Sequence, residues 1–104
     1  MTEYTIDIDK VAEADMYGIL DYISNVLLEP NVAICILKEI KKVIVTLDSM
    51  PWRHAVIDEE PYRTLGIRKI SVKNYIVFYI VDEPKKSVHI LRILYNRREW
   101  KALL

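Results

Sequence analysis

Two stretches of helical spacing, followed by three runs of strand-like alternation, limit what this chain can fold into. Only two glycines and four prolines punctuate its 104 residues. Ala12, Met16, Ile19, Ile23 and Val26 recur at helical intervals, and Leu20 and Leu27 widen the stripe. That is one apolar face of an amphipathic helix. Asp9 stands ahead of it as an N-cap, and Glu13 and Asp15 suit the positive end of the helix dipole. The spacing predicts a helix from near Lys10 to about Leu28. Glu29-Pro30 breaks it, and Pro30 fits the first turn of a second helix. That helix carries Ala33, Leu37, Ile40, Ile44 and Leu47 inward and stops near Asp48, because Met50-Pro51 disfavours continuation. Helices joined this tightly form an antiparallel hairpin.

Around the hairpin the period drops to two. Tyr4, Ile6 and Ile8 share one face of a short first strand. Arg63 to Lys73 reads as a strand interrupted at Gly66. Tyr75 to Asp82 is apolar on both faces and is therefore central. Ser87 to Tyr95 is the third strand of a meander, joined to the second by the turn from Asp82 to Ser87. Arg97 to Leu104 makes a short final helix or tail. The order β-α-α-β-β-β-α marks an α+β fold: an N-terminal strand, a helical hairpin, an antiparallel meander and a C-terminal helix. Residues 1–104 suffice for one domain and not for two. The helices should cover one sheet face, leaving the other to basic residues and the C-terminal segment.

Charge is divided along the chain. Residues 1–61 hold five Lys/Arg and twelve Asp/Glu, whereas residues 62–104 hold ten Lys/Arg and three Asp/Glu. A formal net charge of zero therefore conceals an acidic and a basic half. Basic residues interleaved with tyrosines suit a polyanion or an acidic partner. No apolar run approaches the roughly 18 residues of a membrane span, and no signal peptide opens the chain, so a cytoplasmic location is expected. The single cysteine, Cys35, lies in the apolar run Val32 to Leu37 and is expected to be buried and inert. Neither His54 nor His89 has a ligand-spaced neighbour, and no metal or cofactor motif is present.

The side chains left for function are cations and phenols: Arg68, Lys69, Lys73, Tyr75, Tyr79, Arg92, Tyr95, Arg97 and Arg98. Such a set binds phosphates, stacks on bases and stabilises developing charge. By strand alternation Val88, Ile90, Arg92 and Leu94 share a face. An arginine among aliphatic residues must then either pair with a buried acid or reach an edge where a ligand arrives.

Two stretches carry a family resemblance. Lys73-Asn74-Tyr75-Ile76-Val77-Phe78-Tyr79-Ile80-Val81-Asp82-Glu83 is followed by Val88-His89-Ile90-Leu91-Arg92-Ile93-Leu94-Tyr95-Asn96-Arg97-Arg98-Glu99-Trp100. With Leu47-Asp48-Ser49-Met50-Pro51 closing the hairpin, the chain resembles the RelE/ParE toxin superfamily along essentially its whole length. The resemblance implies the toxin of a type II toxin–antitoxin pair, in a hetero-oligomer with its antitoxin. It also implies a target: DNA gyrase in one branch of the family, or mRNA on the ribosome in the other. In the mRNA-cleaving branch, Lys69 (or Arg68) would match the basic position on the first meander strand, Arg97 the one after the last strand, and Tyr95 a catalytic-site tyrosine. Arg68, Lys73, Tyr75, Arg92 and Arg98 would contact the target. The chain departs from that branch at Tyr75, where the cleaving enzymes usually have an arginine. Loss of one preorganised donor costs about 2.7–4 kcal/mol of transition-state stabilisation. The wording Leu91-Arg92-Ile93-Leu94-Tyr95 is closer to the gyrase-directed branch, and a toxin that only binds its antitoxin is the third alternative.

Overall fold

The computed structural model describes residues 3–96 and 100–104. Strand β1 (Thr5–Ile8) leads into α1 (Lys10–Asp21), whose first N–H donates to the Asp9 carboxylate at 3.1 Å. The helix then widens into a π-helical turn over Tyr22–Val26, where Leu27 N–H reaches back to the Tyr22 carbonyl at 3.0 Å. This extra residue per turn rotates the apolar stripe out of phase. Val26 and Leu27, expected inward, are 62% and 51% exposed. After Leu28, α2 (Pro30–Thr46) returns antiparallel and buries Ala33, Ile40 and Ile44. Cys35 lies on the opposite side of α2 and is exposed. This corrects the expectation of a buried thiol: the inward stripe at 33, 36–37, 40 and 44 leaves position 35 facing solvent.

A four-residue helix α3 (Tyr62–Leu65) replaces the predicted start of the meander. Gly66, at φ 75°, ends it, its N–H bonding back to the Arg63 and Tyr62 carbonyls. Only a residue without Cβ takes that conformation freely. Strands β2 (Arg68–Val72), β3 (Tyr75–Asp82) and β4 (Ser87–Tyr95) then form the meander, and α4 (Trp100–Leu103) closes the chain. The sheet order is β1-β4-β3-β2, with β1 parallel to β4 and the other pairs antiparallel.

The register of β3 on β4 shifts at one point. Phe78 pairs with Arg92 and Tyr79 with Ile90, so Leu91 has no partner. This bulge inverts the parity of β4. Val88 and Ile90 face the helices, as do Ile93 and Tyr95, whereas Leu94 packs on the far face beside Phe78. The predicted common face of Val88, Ile90, Arg92 and Leu94 is therefore split in two.

Each sheet face carries its own core. The helix side gathers Tyr4, Met16, Ile40, Leu47, Val77, Tyr79, Val88 and Ile90. The far side is not open. Ile57, Ile67, Ile76, Phe78 and Leu94 are buried there beneath Tyr62, Trp100, Leu103 and Leu104. No helix of the described residues is long and apolar enough to cross a membrane.

Candidate functional site

Among the described residues, the cations of the basic half do not converge on a single concavity. Arg68 and Lys69 are neighbours on β2, so they point to opposite faces. Arg68 pairs with Tyr79 on the helix side, where its guanidinium stacks 4.9 Å from the Trp52 ring. Its Nη1 donates to the carbonyls of Trp52 and His54, while Nε is buried with no hydrogen-bond partner among the described residues. Lys69 lies across the sheet on Phe78, its ammonium 5.4 Å from the Trp100 ring. Lys73 occupies the β2–β3 turn at φ 56°, beside the first turns of α2.

Arg92 is held by an acid. Its Nε and Nη2 donate to the two Asp15 carboxylate oxygens at 2.8 and 2.9 Å, and Nη1 donates to the Leu103 carbonyl at 2.9 Å. Asp15 also accepts the Ile93 N–H at 2.9 Å. The cause lies in the topology. Strand β1 ends at Ile8, opposite Ile90, so the outer edge of β4 is bare beyond that point. The first turns of α1 pass this edge and cap it with Asp15. Other basic residues are also engaged. Arg63 meets Asp58 at 3.0 Å and Glu60 at 3.3 Å, and Lys86 pairs with Glu83. Charges segregated along the chain thus partly neutralise one another in space.

Tyr75 and Tyr95 are brought together. Their rings meet edge to face at 5.6 Å, in a groove of about 710 Å³ between α1 and the β3–β4 ladder. Burial, then the neighbouring Tyr95 and Tyr22 phenols, raises the Tyr75 pKa above its usual 10.0. Tyr95 faces the helical layer and Lys69 the other side of the sheet, so the two are not brought together. Arg97 and Arg98 lie outside the described residues. Among those described, no group of three or more His, Cys, Asp or Glu is placed to hold a metal ion.

One cluster goes beyond the sequence reading. The segment after α2 inserts Pro51 and His54 against Tyr79, whose hydroxyl donates to the Pro51 carbonyl at 2.8 Å. Burial pushes the Tyr79 phenol up to about 12. Burial, then the nearby Arg53 and Arg68 guanidinium groups, lowers the His54 pKa. The Trp52 indole N–H lies 3.2 Å from both Tyr4 Oη and Glu83 Oε2, while Tyr4 donates to Glu83 at 2.7 Å. This junction ties β1, the loop after α2 and the β3–β4 turn together. The aromatic and basic run Trp52-Arg53-His54 directly after a helix was its only trace in the sequence.

The fold has known counterparts. The chain superposes on a protein of the chromosomal ParDE toxin–antitoxin system from P. aeruginosa with a TM-score of 0.73 at 23% identity, covering 89% of this chain and 96% of that one. A chain of the RelBE2 toxin–antitoxin complex from Mycobacterium tuberculosis gives 0.64 at 19% identity, covering 90% and 99%. The intact E. coli RelBE complex gives 0.60 at 18%, covering 91% and 99%. At these identities the likeness is one of fold. No curated protein matches the sequence. The family described as the ParE toxin of the type II toxin–antitoxin system parDE matches residues 6–100. With nearly the whole chain inside that match, from β1 to the start of α4, the protein belongs to the ParE toxin family of type II toxin–antitoxin systems.

Proposed function

We propose that this chain, acting as one domain in the cytoplasm, arrests growth by inhibiting DNA gyrase and is held inactive by an antitoxin in a hetero-oligomer. The observation that carries the choice of target is that neither candidate cation of β2 stands free beside Tyr95: Lys69 lies on the opposite face, and Arg68, although on the Tyr95 side, is stacked on Trp52 and donates to the Trp52 and His54 carbonyls. Cleavage of RNA needs a cation at the scissile phosphate and a proton-transferring group within hydrogen-bond reach of the same atoms. Groups on opposite sides of a sheet do not serve one phosphate. Tyr75, in place of a cation, removes a further donor from the cleavage reading. An inhibitor needs only a surface. We assign the target surface to the outer surface on the α4 side of the molecule, where Lys69 is exposed beside the Trp100 ring.

The test is a supercoiling assay with purified gyrase and the purified chain, run beside pulse-labelling of DNA and protein synthesis after induction. The expected result is loss of supercoiling and an early fall in DNA synthesis. Unchanged supercoiling at saturating protein, with protein synthesis falling first, overturns the assignment.

A further inference from the structure

We infer that the Nε/Nη2 edge of the Arg68 guanidinium, beside Trp52, is a seat for a side-chain carboxylate of the antitoxin. The inference rests on the antitoxin pairing proposed above and adds the residue that anchors the partner and the chemistry it recognises.

The loop after α2 uses only Nη1 of Arg68, which donates to the Trp52 and His54 carbonyls. Among the described residues, Nε is the one buried side-chain nitrogen or oxygen without a hydrogen-bond partner. Nη2 donates to no described acceptor either. Together Nε and Nη2 form the two-pronged edge that a carboxylate fits. The chain itself shows that edge in use: the same two nitrogens of Arg92 hold the Asp15 carboxylate at 2.8 and 2.9 Å. Arg68 has no such acid. None of the ion pairs among the described residues includes it or Arg53. Arg53 instead directs Nε to the His54 ring and Nη2 to the Thr46 carbonyl. Buried polar groups in folded proteins nearly always find a partner, so the Arg68 edge is left to one from outside the chain.

The surroundings select an acidic side chain on a protein partner. Trp52 and Met50, on the same loop, are 46% and 67% exposed. Tryptophan, arginine and methionine are the residues that anchor protein interfaces. Arg53 and Arg68 both lie close enough to His54 to lower its pKa further than burial does, so the local field is positive and draws an anion. Nucleic acid fits less well. A phosphate backbone needs a row of cations. Here the Thr46, Trp52 and His54 carbonyls occupy the same loop, and the Glu83 carboxylate holds the Trp52 indole at 3.2 Å. One carboxylate matches this mixture; a run of phosphates meets repulsion. The half-exposed Trp52 ring covers the guanidinium in the free chain, so it must shift as the carboxylate seats.

The experiment follows the Arg68 Nε–H signal of the isotope-labelled full chain by NMR while the tagged cognate antitoxin is added. It also measures antitoxin affinity and melting temperature for the native chain and Arg68→Lys, a change that keeps the charge and removes the two-pronged edge. The Nε–H signal should move downfield on binding, and Arg68→Lys should bind at least about tenfold more weakly. Neutralising one Asp or Glu of the antitoxin, as Asn or Gln, should cost the native chain as much and cost Arg68→Lys little more. That non-additivity separates a direct contact from a merely structural role of Arg68. If Arg68→Lys does not fold, the native signal and the antitoxin substitutions decide. If the native chain binds no antitoxin, the pairing fails and the seat with it. Binding that leaves the Nε–H signal in place, or that a folded Arg68→Lys retains in full, overturns the seat alone. A signal that moves with duplex DNA and not with antitoxin overturns it in favour of a phosphate ligand.

Discussion

Arg92 and Asp15, 77 positions apart in the chain, meet in a two-pronged ion pair at 2.8 and 2.9 Å, with side chains only 21% and 13% exposed. The pair joins α1 to the bare edge of β4, and through the Leu103 carbonyl it also holds the C-terminal helix. Removing one partner leaves the other with unsatisfied groups in a poorly hydrated place. Asp15→Ala strands both the guanidinium and the Ile93 N–H. It should lower unfolding free energy by about 3 kcal/mol, the lower end for breaking a buried pair. Arg92→Met removes the charge but leaves Asp15 its Ile93 N–H, so the loss should be smaller. Urea denaturation of both single variants and the double variant measures this. A double variant less stable than Asp15→Ala alone would contradict the pairing.

Much of this architecture is written in the periodicity. The amphipathic stripes of α1 and α2, the central position of β3 and the final helix follow from residue spacing, because each element must bury one face or two. The sequence does not disclose the bulge at Leu91, since one inserted residue changes parity without any residue type that demands it. For the same reason the partner of Arg92 could be expected only as an acid of unknown position. The short helix at Tyr62 was legible in retrospect from Gly66, whose left-handed conformation stops a helix more often than it interrupts a strand. Cys35 was misplaced because an apolar run was given more weight than the helical phase running through it. The site was the least legible part. Charge segregation along the chain does not survive folding when Arg92 and Arg63 reach back to Asp15 and Asp58.

Lys69 and Tyr95 provide a direct test of target chemistry, since they occupy opposite faces. Under the gyrase reading, Lys69→Glu should weaken inhibition of supercoiling by about tenfold or more, because it reverses a charge on the proposed target face. Tyr95→Phe should leave inhibition within about twofold, because the ring packs on Tyr75 and its hydroxyl has no assigned role. A large loss with Tyr95→Phe, accompanied by cut mRNA in the native chain, would instead support a catalytic tyrosine.

The exposed thiol of Cys35 should react with a disulfide reagent in the folded protein without denaturant. One equivalent per chain is expected. Reaction only after urea is added would mean that the helical phase of α2 is wrong by about one residue, and with it the packing of Ala33 and Ile40.

Stability should fall on both sides of neutrality, through different residues. Burial and the adjacent guanidinium groups of Arg53 and Arg68 hold His54 below its usual 6.5. As pH drops below that value the unfolded chain takes up the proton first, so stability falls. Glu60, held below 4.5 by its bonds to Thr64, and Glu83, held down by Lys86 and Tyr4, extend the loss as pH falls further. On the alkaline side, Tyr79 ionises at its usual 10.0 when unfolded but only at about 12 when folded, so the unfolded state gains as pH rises through that window. Lys86, raised by Glu83, loses its contribution in the same direction. Urea midpoints measured from pH 4 to pH 11 should therefore trace a dome. His54→Gln should flatten the shoulder below 6.5. Tyr79→Phe should flatten part of the alkaline arm, at a cost of about 1 kcal/mol at neutral pH for the lost bond to the Pro51 carbonyl. An alkaline arm unchanged in Tyr79→Phe would show that this phenol is not buried in the folded state.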